Sequence, residues 1–177
     1  MDESLYSRQI AVYGKNAMNS LTDAKVIILG FDGSCLELCK NLILAGVGLI
    51  NLVDSSLVNM EDLAVNYYVS EFDVGKIVVD VIKDKLSELN PYVSLLVNDM
   101  SEDDYDVYIL INNSFENAKL LNEKVRNKNK KFIWLNTYGL MGNVFCDFGN
   151  FVSKDIDGEN PNLSVIQNII QMDKLLL

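Results

Sequence analysis

A glycine-containing turn at residues 30–37 is the first feature of this sequence that could do chemistry. Its residues read Gly-Phe-Asp-Gly-Ser-Cys-Leu-Glu, and they stand between an apolar, β-branched run at 25–29 and a helix-like run at 38–44. A strand, a glycine turn and a helix in this order are typical of dinucleotide-binding domains, where the backbone approaches a pyrophosphate at the amino terminus of the helix. The spacing here is G-x-x-G, whereas the working fingerprint is G-x-G-x-x-G.

Two residues of this turn argue against a bound phosphate. A carboxylate at Asp32, held about 4 Å from a phosphate charge, would cost about 4 kcal/mol at a surface-like dielectric, which is roughly a thousandfold in affinity. Cys35 adds bulk where the backbone would have to come close. We therefore predict that Gly30 and Gly33 keep the turn and its close packing, and that no ATP binds there. The alternative is a weak or altered nucleotide site that uses Asp54.

Asp54 is a second part of a nucleotide-binding layout. It ends an apolar run at 49–54 that predicts a second strand, and it lies a little over twenty residues after Gly30. At that distance an acidic side chain reaches a ribose hydroxyl in this architecture. We interpret Gly30, Gly33 and Asp54 as a vestigial cofactor-binding set.

The periodicity along the chain predicts an α/β fold. Strands and helices alternate, which indicates a Rossmann-like, doubly wound, mostly parallel sheet with helices on both faces. Glycines and short alternating runs after Thr137 predict a few antiparallel strands at the C-terminal end. We assign residues 1–150 to this domain and 151–177 to the start of another module or a C-terminal extension. The predicted strands are 25–29, 49–54, 93–97, 106–111 and 131–135, the predicted helices are 5–13, 17–21, 74–89 and 115–127, and 55–68 is predicted to be irregular.

Composition excludes several classes of function. With 177 residues and 49% hydrophobic content, the chain can fill one main core. A net charge of -10 disfavours nucleic-acid binding, and the basic run at 124–131 is typical of a solvated helix end. Three cysteines and no histidine leave very little room for metal chemistry, and Cys35 and Cys39 lack the further ligands of a tetrahedral zinc site, so we expect them to be small buried hydrophobic residues. Neither a signal peptide nor a membrane-spanning run is visible, so we expect a soluble intracellular protein.

Five blocks of sequence resemble the ubiquitin-activating enzymes, within the ThiF/MoeB-like adenylating superfamily. They are LYSRQI at 5–10, the block at 26–47 that ends in KNLILAGV, LSELNPYV at 86–93, GLMGNVFCDFG at 139–149 and DIDGENP at 155–161. The resemblance covers nearly the whole chain, and it implies that residues 151–177 are the start of the first catalytic-cysteine half-domain or a C-terminal extension. The L-Y-x-R-Q block alone recurs in many adenylating enzymes, but five blocks in the right order are specific.

The resemblance implies an enzyme with two related halves, of which only the second binds ATP and magnesium. This chain is similar to the amino-terminal, inactive half. The nucleotide-holding Asn-Arg pair is replaced by Ala64 and Val65, and the lysine of the next helix by Val78, with Lys76 nearby. The magnesium-binding aspartate is replaced by Asn113, whose neutral amide is a poor partner for a dication that favours carboxylates. The resemblance therefore implies that this half binds no cofactor.

Arg8 is the one candidate catalytic residue that the resemblance supplies. The matching arginine of the family reaches across to the ATP phosphates bound by the other half, a task that suits a guanidinium because it stays charged and presents a fork of donors. The alternative is a surface salt bridge from Arg8 to Asp2 or Glu3.

The whole enzyme implied here adenylates the C-terminus of ubiquitin with ATP and then forms a thioester in another domain. This fragment would scaffold the active half, and we expect it to catalyse neither step because it lacks the cysteine region of that other domain. We also expect no nucleophile among Cys35, Cys39 and Cys146, which lie in a predicted packed helix and a predicted strand. We expect a cytoplasmic and nuclear protein whose partners are the active half, ubiquitin or a ubiquitin-like protein, and a second copy when isolated, with no nucleic acid or membrane. Two alternatives stay open: the small regulatory subunit of a two-chain activating enzyme for a modifier such as SUMO, and an NAD-dependent oxidoreductase of Rossmann type.

Overall fold

A computed structural model describes residues 2–100 and 104–151 of the chain. The elements between these bounds alternate as the sequence predicts. In chain order they are α1 (Ser7–Tyr13), α2 (Lys15–Asp23), β1 (Lys25–Leu29), α3 (Gly33–Ala45), β2 (Leu49–Val53), α4 (Asp62–Val65), a 3₁₀ turn (Glu71–Asp73), α5 (Val78–Ser87), β3 (Ser94–Val97), β4 (Val107–Ile111), α6 (Phe115–Asn127), β5 (Lys131–Tyr138) and β6 (Met141–Asp147).

These strands form one six-stranded sheet in the order β3-β2-β1-β4-β5-β6. Neighbouring strands from β3 to β5 are parallel, and β6 runs antiparallel to β5. The chain order reverses between β1 and β4, which makes the crevice at their carboxyl ends the topological switch point where such sheets bind ligands. The predicted doubly wound fold is confirmed, and the antiparallel part of the described sheet is the single strand β6.

The core lies on both faces of the sheet, as a doubly wound fold requires. On one face, α3 and α5 pack through Cys39, Ile43 and Ile82 against Val26, Ile28 and other residues of β1 and β2. On the other face, α6 packs through Ala118 and Val125 against Leu110 of β4 and Phe132 of β5. The alternation of side chains along each strand divides the apolar residues between the two faces.

Some predicted boundaries differ from the structure for identifiable reasons. The helix predicted over 74–89 begins only at Val78, because the preceding residues bond to the 56–58 segment: Gly75 N–H donates to the Val58 carbonyl at 2.8 Å, and Val58 N–H donates to the Lys76 carbonyl at 2.9 Å. The 55–68 region, predicted to be irregular, contains α4. The predicted module at 151–177 lies outside the described residues apart from Phe151.

Within the described ranges, none of the helices is long and apolar enough to cross a membrane.

Candidate functional site

Asp32 occupies the amino terminus of α3, at the crevice of the switch point. It is the N-cap residue of that helix, and its Oδ1 accepts hydrogen bonds from the Cys35 backbone N–H at 2.8 Å and from the Ser34 hydroxyl at 2.6 Å. The first N–H groups of a helix are the usual site for an anion, because they have no partner within the helix. Here the protein supplies that anion from its own chain.

The second carboxylate oxygen of Asp32 crosses the crevice to the neighbouring strands. Its Oδ2 accepts from Asn112 Nδ2 at 2.5 Å and from Thr137 Oγ1 at 3.0 Å. Asn112 directly follows β4 and Thr137 lies near the end of β5, and the two are joined by a 2.7 Å bond from Thr137 N–H to Asn112 Oδ1. Four donors therefore converge on one carboxylate, which links the carboxyl ends of three adjacent strands.

A small cavity of about 270 Å³ lies beside this turn. Such a volume is below the roughly 300–1,000 Å³ of typical ligand pockets. Asp32 and Asp62 place two carboxylates in its lining, and none of the described lining residues is a lysine or arginine. The residues that line it are Phe31, Asp32, Gly33, Leu36, Ser56, Leu57, Asn59, Asp62, Val65, Asn66 and Val78. The electrostatics of this cavity disfavour a polyphosphate.

The positions matched to nucleotide-holding residues are apolar or bonded to other residues. Val65 and Val78 line the cavity and have no side-chain donor. Lys76 is exposed and forms an ion pair with Asp73 at 2.9 Å. Asn113 belongs to the start of α6, where its Oδ1 accepts from Asn117 Nδ2 at 2.8 Å.

The structure requires glycine at only one of the two glycine positions of the turn. Gly30 has φ of +93°, and a Cβ built there would lie 2.8 Å from the backbone oxygen of Ile111 on β4. Gly33 begins α3, and a Cβ at that position would meet nothing within 4 Å. Close packing therefore explains Gly30, whereas the same expectation for Gly33 is wrong.

Asp54 is turned toward its own loop. Its Oδ1 accepts from the Ser56 backbone N–H at 2.7 Å and also from the Ser56 hydroxyl. Asn98 holds the backbone of Asp54 by two bonds of 3.0 Å, one to its N–H and one to its carbonyl. Asp54 is not among the residues that line the 270 Å³ cavity.

Arg8 lies exposed on α1, and no described residue bonds to its guanidinium. The two carboxylates considered as partners have other contacts. Asp2 accepts from Ser4 at 2.8 Å and from the Tyr92 hydroxyl at 3.0 Å, and these bonds, led by the one from Ser4, lower the pKa of Asp2 to about 2. Glu3 pairs with Lys15 at 2.5 Å. The alternative salt bridge for Arg8 is therefore not formed in this structure.

The position of α1 places Arg8 far from the crevice of its own chain. Tyr6, just before α1, is buried, and its hydroxyl accepts a 2.7 Å bond from Asn90, which also donates to the Ile43 carbonyl at 2.9 Å. Arg8 shares a cavity of about 380 Å³ with Leu44 in the last turn of α3. Since the crevice is at the other end of that 13-residue helix, about 20 Å away, Arg8 cannot serve it.

The cysteines lie where the sequence predicts. Cys35 and Cys39 are fully buried in α3, and burial raises the pKa of both thiols, that of Cys39 to about 12. Cys146 is exposed on β6. Residues 2–100 and 104–151 contain no group of three or more His, Cys, Asp or Glu side chains arranged to hold a metal ion.

Comparison with known proteins identifies the family. The family model described as ThiF matches residues 6–151. The chain belongs to the ThiF family. This ThiF-family chain is 37% identical over 177 residues to ubiquitin-activating enzyme E1 2 of Arabidopsis thaliana and 36% identical over 180 residues to ubiquitin-like modifier-activating enzyme 1 of Homo sapiens. Those matches cover 96% and 98% of the chain, but the chain spans only 16% and 17% of the relatives.

Solved structures share the fold. MccB of E. coli, crystallised with AMPCPP and MccA, superposes with a TM-score of 0.64 at 24% identity, over 76% of this chain and 45% of that one. MccB with succinimide gives a TM-score of 0.63 over 75% and 44%. At this identity the likeness shows the architecture alone.

Sequence reasoning missed Asn112 and Thr137 as partners of Asp32. A usable pattern was present, since Asn112 and Asn113 follow a buried strand directly, and carboxyl ends of parallel strands meet at one edge of a sheet. The sequence could not show that three of these ends converge on one carboxylate.

Proposed function

We propose that this chain is the amino-terminal adenylation-type half of a ubiquitin-activating enzyme, and that it binds no nucleotide itself. Its identity of 36–37% to two activating enzymes supports the enzyme class. The main support for the claim that no nucleotide binds is the Asp32 carboxylate. It lies where an anion would bind at the amino terminus of α3, and four donors surround it.

Electrostatics favour the state in which the Asp32 carboxylate, rather than a phosphate, lies at the start of α3. A phosphate entering beside Asp32 would place two negative charges about 4 Å apart, at a cost of about 4 kcal/mol. Displacing the carboxylate instead would remove its bonds to Asn112 and Thr137 and its cap on α3. With no lysine or arginine among the described residues of the cavity, nothing there offsets either cost.

The role we propose for Arg8 is to contact the ATP phosphates in the active half. Arg8 is exposed, unpaired among the described residues and remote from its own crevice, which supports a target in another domain. ATP and magnesium would then be held by the partner half. The complete enzyme would adenylate the C-terminus of ubiquitin or a ubiquitin-like protein and form a thioester in another domain, in the cytoplasm and nucleus.

The other two candidates are less well supported. A separate small subunit, such as that of a SUMO-activating enzyme, would be a short chain, whereas the relatives at 36–37% identity are about six times longer than this chain. Membership of the ThiF family gives no support to an NAD-dependent oxidoreductase.

The number of nucleotides bound per polypeptide tests whether the crevice of this half binds ATP. We expect equilibrium dialysis of the full-length enzyme with ATP and magnesium to give one ATP per polypeptide, and calorimetric titration of the 177-residue chain to show no binding of ATP or NAD. Two ATP molecules per full-length polypeptide, or tight ATP binding to the isolated chain, would contradict the proposal that this half binds no nucleotide. Tight NAD binding would overturn the adenylation role itself.

A further inference from the structure

Asn90 lies in the turn between α5 and β3, and its side chain joins three parts of the chain. It is a polar residue that is only 4% exposed. Its Nδ2 donates to the Tyr6 hydroxyl at 2.7 Å and to the Ile43 carbonyl of α3 at 2.9 Å, and its Oδ1 accepts from the Tyr92 backbone N–H at 3.1 Å. A buried amide whose donors and acceptor are all bonded holds the segments that it joins in one arrangement.

Tyr6 anchors α1 to α3 and to the turn after α5. None of the seven residues of α1, all of which the structure describes, is buried, whereas Tyr6, immediately before the helix, is 3% exposed. The Tyr6 carbonyl accepts the first helical bond of α1, from the Ile10 N–H at 2.9 Å. Because the backbone of Tyr6 begins the helix while its ring is buried, the position of the ring fixes the start of α1.

Further contacts keep the ring and the residues before it in place. A Cβ at Gly46 would lie 2.6 Å from the Tyr6 hydroxyl oxygen, so glycine at that position leaves room for the ring. The Tyr92 hydroxyl donates to the Asp2 carboxylate at 3.0 Å, and the Tyr6 N–H donates to the Asp2 carbonyl at 3.2 Å. The turn at 90–92 therefore holds the segment before α1 at both of its ends.

We propose that Asn90 is a positioning residue for Arg8 and that it acts through the Tyr6 hydroxyl. Arg8 follows Tyr6 by two residues, in the first turn of α1, so a shift of the tyrosine ring moves the backbone of Arg8 directly. A displacement of about 1 Å in a group that orients a substrate can cost roughly 100-fold in rate. This inference rests on the proposed contact of Arg8 with the ATP phosphates of the active half.

ATP–pyrophosphate exchange by the full-length enzyme gives the first test. Tyr6→Phe removes the hydroxyl that Asn90 binds but keeps the ring, and it should slow exchange roughly 2-fold to 10-fold, the loss typical of one hydrogen bond. Tyr13→Phe removes a hydroxyl from the same helix at a position 68% exposed, and it should leave exchange at the wild-type rate. An exchange rate unaffected by Tyr6→Phe would overturn the proposal.

Combination with Arg8→Ala separates positioning from a general effect on stability. If the Tyr6 hydroxyl acts only through Arg8, Tyr6→Phe should slow exchange no further once Arg8 is alanine. A purely structural effect would slow exchange by the same factor in both backgrounds, and that result would overturn the positioning role. Exchange unaffected by Arg8→Ala alone would instead contradict the proposed function, and this inference with it, so the two failures are distinguishable.

The mobility of α1 gives a readout that does not depend on activity. In a Cys146→Ser variant of the 177-residue chain, a nitroxide label is attached to the cysteine of Arg8→Cys; the other two cysteines are buried and should not react. Addition of Tyr6→Phe should increase the mobility of the label in its electron paramagnetic resonance spectrum, whereas addition of Tyr13→Phe should not. Equal mobility with and without the Tyr6 hydroxyl would overturn the proposal, and circular dichroism of each variant verifies that it is folded.

Discussion

Gly30 and Gly33 belong to one turn, yet the structure gives them different roles. Gly30 adopts a left-handed backbone conformation, and the backbone of β4 lies where its Cβ would be. Gly33 starts a helix in open space. Only the first glycine is thus required by the fold.

Alanine substitutions distinguish these roles. Gly30→Ala should lower the free energy of unfolding by about 1–3 kcal/mol, because the new side chain is strained at positive φ and meets the Ile111 backbone oxygen. Gly33→Ala should leave that free energy unchanged or raise it by up to about 1 kcal/mol. Urea unfolding followed by circular dichroism measures both. Equal destabilisation by the two variants would contradict the assignment.

At the scale of elements, α3 depends on Asp32 for its start. The helix takes its cap from a half-buried carboxylate that also bonds to Asn112 and Thr137. A residue that would repel a nucleotide is therefore one that stabilises the helix. Because one residue has both roles, the crevice could exclude a phosphate without loss of the fold.

Asp32→Ala should lower the free energy of unfolding by about 0.5–2 kcal/mol, the usual cost of a lost N-cap. Glu37→Ala, an exposed acid on the same helix, should change it by less than about 0.5 kcal/mol. Urea titration at neutral pH measures the difference between the two. If the two variants change the free energy of unfolding equally, the N-cap and the cross-strand bonds of Asp32 make no measurable contribution to stability.

The 3₁₀ turn at Glu71–Asp73 is a second element with an identifiable cap. Asp73 Oδ2 accepts from the Ser70 hydroxyl at 2.6 Å and from the Ser70 backbone N–H at 3.0 Å, and its other oxygen pairs with Lys76. The hydrogen bond from the Ser70 side chain, followed by that from Lys76, lowers the pKa of Asp73 from 3.8 to about 2.

A folded-state pKa below the ordinary value means that the folded protein binds fewer protons than the unfolded chain between those two values. The contribution of Asp73 to stability is therefore present above about pH 4 and is lost as the pH falls toward 2. We expect Asp73→Asn to be less stable than wild type at pH 6, with a difference that shrinks between pH 4 and pH 2. Urea unfolding across this range measures it, and a constant difference would contradict the assignment.

At the scale of the whole molecule, the fold separates Arg8 from the crevice. Tyr6 and Asn90 fix α1 at the end of α3 that is remote from Asp32. A cation held there can act on a nucleotide only if another domain brings one. The function we propose is therefore a property of the assembly rather than of this chain.

In the full-length enzyme, Arg8→Ala should slow ATP–pyrophosphate exchange by roughly 10-fold to 100-fold, the loss expected for charged hydrogen bonds worth about 1.5–3 kcal/mol. Lys15→Ala, which removes an exposed cation from neighbouring α2, is the control and should leave exchange near the wild-type rate. An exchange rate unaffected by Arg8→Ala would contradict the proposed contact of Arg8 with the ATP phosphates of the active half.

Much of the fold could be predicted from periodicity because the apolar runs are long and regular. The run at 25–29 and the helix at 115–127 match β1 and α6 residue for residue. Prediction was weakest between 55 and 77, where short apolar runs make local bonds such as that from Gly75 to Val58. Those bonds depend on two segments meeting, which hydropathy along the chain does not encode.

The sequence alone determined the class of fold, the burial of Cys35 and Cys39 and the presence of a carboxylate in the glycine turn, because each follows from residue type and local spacing. Tertiary structure alone decided that Asp32 meets Asn112 and Thr137 and that Arg8 is remote from Asp32. The bond from Thr137 to Asp32 joins residues 105 positions apart, and only the strand order brings such residues together or keeps them apart.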